Sequence, residues 1–99
     1  MNNFKKKKIQ FPFADSPNTA TFTCCHVLNG ERPILYVSHD EDGYWQFLCG
    51  CVHSEDEARI VSLYDIMEID PSVGDLAQLD YGYYAECADE NSDWVVRHV

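Results

Sequence analysis

The chain has 99 residues and a formal net charge of −10, with 45% apolar and 13% aromatic residues. That content excludes a disordered protein, the length suits a single domain, and no apolar run approaches the ~20 residues a membrane span needs. A chain of this mass buries roughly 65% of its unfolded surface on folding, enough for two-layer packing without obligatory disulfides or metal.

Residues 1–18 contain the run Lys5–Lys8, Pro12, Pro17 and scattered phenylalanines. They read as a flexible basic leader in front of one acidic α+β domain over residues 19–99. From Thr19 onward there are 16 acidic residues against Arg32, Arg59 and Arg97, a net of −13. Such a body repels nucleic acid and anionic lipid and speeds association with a basic partner; its simplest use is to keep the protein soluble. The lysines are followed by Ile9, Gln10, Phe11, Pro12 and Phe13 rather than by a secretory apolar core, which points to a cytosolic protein. Five cysteines, an odd number, then argue against structural disulfides.

Phe22–Leu28 reads as a first strand, the turn Asn29-Gly30 follows it, and Ile34–Ser38 reads as a second strand beside the first. His39-Asp40-Glu41-Asp42-Gly43 supplies turn chemistry before a third strand, Tyr44–Cys49. Trp45, Phe47 and Cys49 share one face of that strand and Tyr44, Gln46 and Leu48 the other, so it belongs at the centre of a sheet. After the polar connection His53–Glu57, Ala58–Leu63 reads as a fourth strand. Leu63, Ile66, Met67 and Ile69 recur at helical spacing up to Asp70-Pro71, where proline stops simple continuation. Asp70 can cap a second short helix with Pro71 at its first position and Val73, Leu76 and Leu79 as its buried stripe. Tyr81–Cys87 and Trp94–Val99 then form a closing hairpin. The expected fold is α+β: a mostly antiparallel sheet of about five to six strands with one or two short helices on one face, in the order β-β-β-β-α-α-β-β.

Chemistry concentrates in Cys24, Cys25 and His26 on the first strand and Cys49, Cys51 and His53 after the third. Thiolates and imidazoles are the preferred ligands of zinc, and if the extended backbone persists through Gly50, adjacent strands close a site from Cys24, His26, Cys49 and His53. Against this, alternate residues of one strand stand almost 7 Å apart, wide for one tetrahedral ion, and buried cysteines also serve as small core hydrophobes. A Cys/His pair can equally act as nucleophile and base, yet no third group is placed to orient the base, and there is no phosphate loop, nucleophile elbow or zinc-protease helix. A non-enzymatic protein is therefore expected. The run His39–Asp42 lacks the spaced carboxylates and closing glutamate of a calcium loop and suits a turn.

The remaining candidates are aromatic. Tyr81, Tyr83, Tyr84 and Trp94, with Trp45 if its face is open, are typical interface anchors, and Asp80, Glu86, Asp89, Glu90 and Asp93 surround them. A docking surface for a basic protein partner would then comprise Tyr81, Tyr83, Tyr84, Glu86, Asp89, Glu90 and Trp94, ordinary sheet packing being the alternative.

From Cys24 to Trp94 the chain resembles a widespread group of small bacterial proteins of unknown function. The resemblance rests on Cys24-x-His26-Val27, on His39-Asp40-x-Asp42-Gly43-x-Trp45-Gln46-Phe47-Leu48-Cys49-Gly50, on Ala58-Arg59-x-Val61-x-Leu63 and on Asp70-Pro71-Ser72. A tryptophan-bearing strand ending in glycine, a helix ending at Asp-Pro and a short closing strand are also similar to a bacterial domain grouped with polymorphic-toxin immunity proteins. The resemblance implies a small α+β protein-binding domain, with no established activity or catalytic residues to carry over. Proteins of that group block a toxin's active site or an essential surface, and an acidic inhibitor would suit a basic nuclease. The expectations are thus a protein-binding domain of immunity type, a small zinc protein, and, third, an enzyme with a Cys/His centre.

Overall fold

The computed structural model describes residues 11–50 and 55–98. Strands β1 (Ala20–Cys24), β2 (Tyr36–His39), β3 (Trp45–Leu48), β4 (Ala58–Ser62), β5 (Tyr83–Glu86) and β6 (Val95–His98) form one mixed sheet in the order β4-β1-β3-β2-β5-β6. Two short helices, α1 (Cys25–Leu28) and α2 (Leu63–Ile69), and 3-10 segments at Glu55–Glu57 and Pro71–Leu76 complete the α+β fold. Among the described residues no helix is long and apolar enough to cross a membrane.

The β2–β3 hairpin forms as the Asp-Gly signal predicts. Asp40 Oδ1 accepts from the backbone N–H of Asp42 and of Tyr44, each at 3.0 Å, and Gly43 takes φ +92°, open to a residue without Cβ. His39 belongs to β2 rather than to the turn. It is buried, donates from Nδ1 to the Leu79 carbonyl at 2.8 Å and stacks on Trp45 at 3.8 Å. Leu79's carbonyl can only accept, so the proton sits on Nδ1.

β3 is central, as its two apolar faces require: β1 lies on one side and β2 on the other. The expected pairing of the first two strands is corrected. β1 pairs antiparallel with β4 from Ala20↔Ser62 to Cys24↔Ala58 and parallel with β3 at Phe22↔Gln46, whereas β2 pairs with β3 and β5. The first strand also ends early. Cys25–Leu28 winds into a helical turn, and the Asn29, Gly30 and Glu31 amides donate back to the Cys25, Val27 and His26 carbonyls.

α2 starts where Ser62 Oγ accepts from the Asp65 amide at 3.0 Å, an N-cap that satisfies one of the helix's orphan donors. It buries Leu63 and Ile66. After it, Asp70 Oδ1 accepts from Ser72 N at 3.0 Å and Ser72 Oγ at 2.6 Å, opening the Pro71–Leu76 segment, which is 3-10 rather than α-helical. Val73, Leu76 and Leu79 are buried as expected.

These elements cover one face of the sheet around Trp45, Phe47, Val37 and Ala85. Trp45 is therefore a core residue, 1% exposed, and not a surface anchor. Residues 11–18 also differ from a flexible leader. Phe13 is 5% exposed, with its ring edge-on to Trp45 at 5.0 Å and to Phe47 at 6.4 Å. The Pro17 and Thr19 carbonyls accept from the Tyr64 and Leu63 amides at the start of α2. The packed body thus begins before residue 19; Lys5–Lys8 and Val99 lie outside the described residues.

Candidate metal centre

Cys24 ends β1, His26 is the second residue of α1, and Cys49 follows β3. Because β1 and β3 run parallel as neighbours, both strand ends arrive at the same edge of the sheet, and the turn of α1 folds His26 back over them. Cys24 Sγ and Cys49 Sγ are 3.8 Å apart, in contact but far beyond a disulfide bond, and Cys49 Sγ lies 3.9 Å from His26 Nδ1. The three donor atoms all fall within 4.8 Å of one another. With Zn–S near 2.3 Å, the edge between two sulfurs of a tetrahedral site is about 3.8 Å, and with Zn–N near 2.0–2.1 Å the sulfur–nitrogen edge is about 3.5 Å. The sulfur pair fits such a site as it stands, and the Cys49–His26 edge is a few tenths of an ångström long.

His26 contributes a second feature. Its Nε2 faces Glu57 Oε2 at 3.8 Å. An imidazole that offers one nitrogen to a metal while a carboxylate holds the other is the usual orienting arrangement of metal-bound histidine. Cys25, His26 and Glu57 also cluster within 4.8 Å, so His26 stands between two donor groups. Cys24 and Cys49 are buried, at 1% and 3% exposure, whereas Cys25, His26 and Glu57 are half-buried. Two thiols in the core beside a more open imidazole and carboxylate make a centre closed on one side.

The route by which strands were expected to close the site is corrected in two respects. His26 reaches it from a helical turn, not from the face of a strand, which removes the objection of the wide strand repeat. Gly50 takes φ +86°, so extended backbone does not persist through it. Cys51 and His53 lie outside the described residues. Glu57 was missed as a partner of His26, since Glu55-Asp56-Glu57 reads in the sequence only as a polar connection.

The seven residues expected to form a docking surface are spread over several places. Tyr84 and Glu86 alternate with Tyr83, so they occupy the face of the sheet away from the helices. Tyr83 lies between His39 and His98, with its ring 4.6 Å from that of His98. Tyr81, 64% exposed, is edge-on to His39 at 4.6 Å. Asp89 closes the β5–β6 connection, its Oδ1 accepting from Asn91 N at 2.9 Å and Ser92 Oγ at 3.0 Å. Glu90 and Trp94 line an open cleft of about 900 Å³ with Asp70, Asp75, Asp93 and Arg32. Cys87 lines that cleft too. Partial burial, then the negative charges of Asp89 and Asp70, push its thiol above the ordinary range.

No family model, curated protein or solved structure matches the chain.

Proposed function

We propose that the chain is a small zinc-binding domain in which Cys24, His26 and Cys49 are ligands and the metal is structural. The observation that carries this reading is the 3.8 Å separation of two buried sulfurs with an imidazole nitrogen 3.9 Å from one of them. His53, the fourth residue expected of the site, lies outside the described residues.

Two experiments test it. Protein purified without chelator or added metal should carry zinc in a one-to-one ratio, lost in Cys49→Ser and Cys24→Ser and kept in Cys87→Ser. Cobalt titrated into the metal-free protein should produce thiolate-to-cobalt charge-transfer absorption. Zinc-free protein that also shows no such absorption would refute the proposal.

The cleft supports a second reading, protein binding of immunity type. Trp94 offers an aromatic wall among Glu31, Asp70, Asp75, Glu90 and Asp93, with Arg32 as the one opposing charge among its lining residues. A protruding cationic segment of a basic protein would suit this lining, and the acidic body would steer its approach. A labelled oligolysine peptide should quench or shift Trp94 emission, and its association rate should drop steeply between low and physiological salt. A flat salt response would exclude steering.

A further inference from the structure

The helices, the 3-10 segments and Phe13 cover one face of the sheet. The opposite face carries Ile60 of β4, Phe22 of β1, Tyr44 and Leu48 at the two ends of β3, Tyr36 of β2, Tyr84 of β5 and Val95 of β6, as the registers Phe22↔Ile60, Phe22↔Gln46, Tyr36↔Leu48, Ser38↔Tyr84 and Glu86↔Val95 require. Its aromatic rings are already ordered in pairs. Tyr36 stacks on Tyr84 at 5.6 Å, and Phe22 meets Tyr44 edge-on at 5.9 Å. Ile60 is 67%, Tyr44 52% and Val95 48% exposed, so large apolar side chains stand in water along this face.

The charge on this face tells what fits it. In a chain of net charge −10, the strand positions on this side bear only two charged groups, Glu86 and Arg97. They are diagonal neighbours on β5 and β6, Glu86 beside Val95 and Arg97 beside Tyr84. Among the described residues neither is in an ion pair within its own chain. A highly charged partner of either sign would find almost nothing to pair with here. A second copy would find a face whose strand positions carry no net charge, so that the contact itself adds no repulsion between two acidic bodies. A two-fold axis lying between the two faces and running across the strands would bring each copy's Arg97 beside the other's Glu86. We propose that this face is a homodimer interface, in which the two sheets pack face to face through the aromatic band and the Arg97–Glu86 pair is formed twice. The proposal is independent of the metal centre, whose ligands gather at one edge of the sheet.

Sedimentation of the full chain across the micromolar range should show a monomer–dimer equilibrium. Ile60→Asp with Tyr44→Asp should leave a folded monomer, since both side chains are more than half exposed and contribute little to the monomer's core. Glu86→Arg alone and Arg97→Glu alone should each weaken the dimer by about tenfold or more, corresponding to ~1.4 kcal/mol. The double reversal E86R/R97E should restore association. Restoration is the readout that misfolding could not imitate. A monomer at every concentration would overturn the proposal. So would a dimer that tolerates all these changes, because it would be built on another surface. Capture of a different protein on this face by a chain that stays monomeric would equally refute it.

Discussion

Phe13→Ala separates a packed segment from a leader. Phe13 is 5% exposed and touches both large core aromatics, Trp45 at 5.0 Å and Phe47 at 6.4 Å between ring centroids. Truncating a buried phenylalanine typically costs about 3–5 kcal/mol, of which each edge-on aromatic pair accounts for roughly 0.5–1.5 kcal/mol beyond area burial. Residues near a chain end relax more freely than a sandwiched strand, so a loss near the lower figure, about 3 kcal/mol, is expected. For a domain of this size, that lowers the melting temperature by roughly 10–25 °C. Urea unfolding followed by tryptophan emission, at one fixed protein concentration, measures it directly, and the m-value should not change. Phe13→Leu should retain most of the stability. A flexible leader would give an effect within about ±0.5 kcal/mol, so a loss under about 1 kcal/mol would refute the packing argument.

Gly74 sits under the same segment: a Cβ there would approach Pro12 Cγ to 3.0 Å and Met67 Cε to 3.4 Å. Gly→Ala in an unstrained position raises stability by about 0.4–1 kcal/mol, but here the new methyl pushes residues 11–13 off the core, and Gly74→Ala should lower it. Its penalty should shrink in a Phe13→Ala background, where that segment has less to lose; a stabilising Gly74→Ala would refute the contact. For Cys87, whose thiol lies above the ordinary range through burial and then Asp89 and Asp70, alkylation near pH 8 should be slower in the folded protein than in urea, and Asp89→Asn should recover part of the rate. Because the folded value exceeds the unfolded one, this group's contribution to stability is complete below the unfolded thiol value, near 8.5, and is lost as pH rises through the folded value. Peptide mapping of the alkylated chain reads both outcomes, and equal rates folded and unfolded would contradict the shift.

What was legible in the sequence was local. Asp42-Gly43 between alternating runs, Asp70-Pro71 after a helical stripe, and the acidic turn between two aromatic runs each announce a structure closed within a few residues. The partner of β1 was not legible, since its registered partners lie 24 or more positions away, and no local pattern encodes which strand arrives there. Cys25–Leu28 was misread for a related reason: a run of four residues is equally compatible with strand and helix, and the choice is made by chain reversal at Asn29-Gly30. Phe13 looked isolated because its partners, Trp45 and Phe47, lie more than 30 residues downstream. The candidate metal residues were visible by type. Their geometry was not, because the parallel placement of β1 and β3 and the bend at Gly50 decide it.

That parallel placement also divides the sheet. β1 and β4 are zipped along five registered pairs, and β3, β2, β5 and β6 along four at every step, but among the described residues β1 and β3 register at one pair, Phe22↔Gln46. Thr23 Oγ1 adds one buried bond across the joint, donated to the Phe47 carbonyl at 2.6 Å. The molecule is therefore two ladders joined at a sparsely registered seam, and amide exchange should open along it before either ladder melts. Cys24 and His26 stand on one bank and Cys49 on the other. A zinc ion at that point would be a rivet across the seam, converting two separately breathing halves into one cooperative unit.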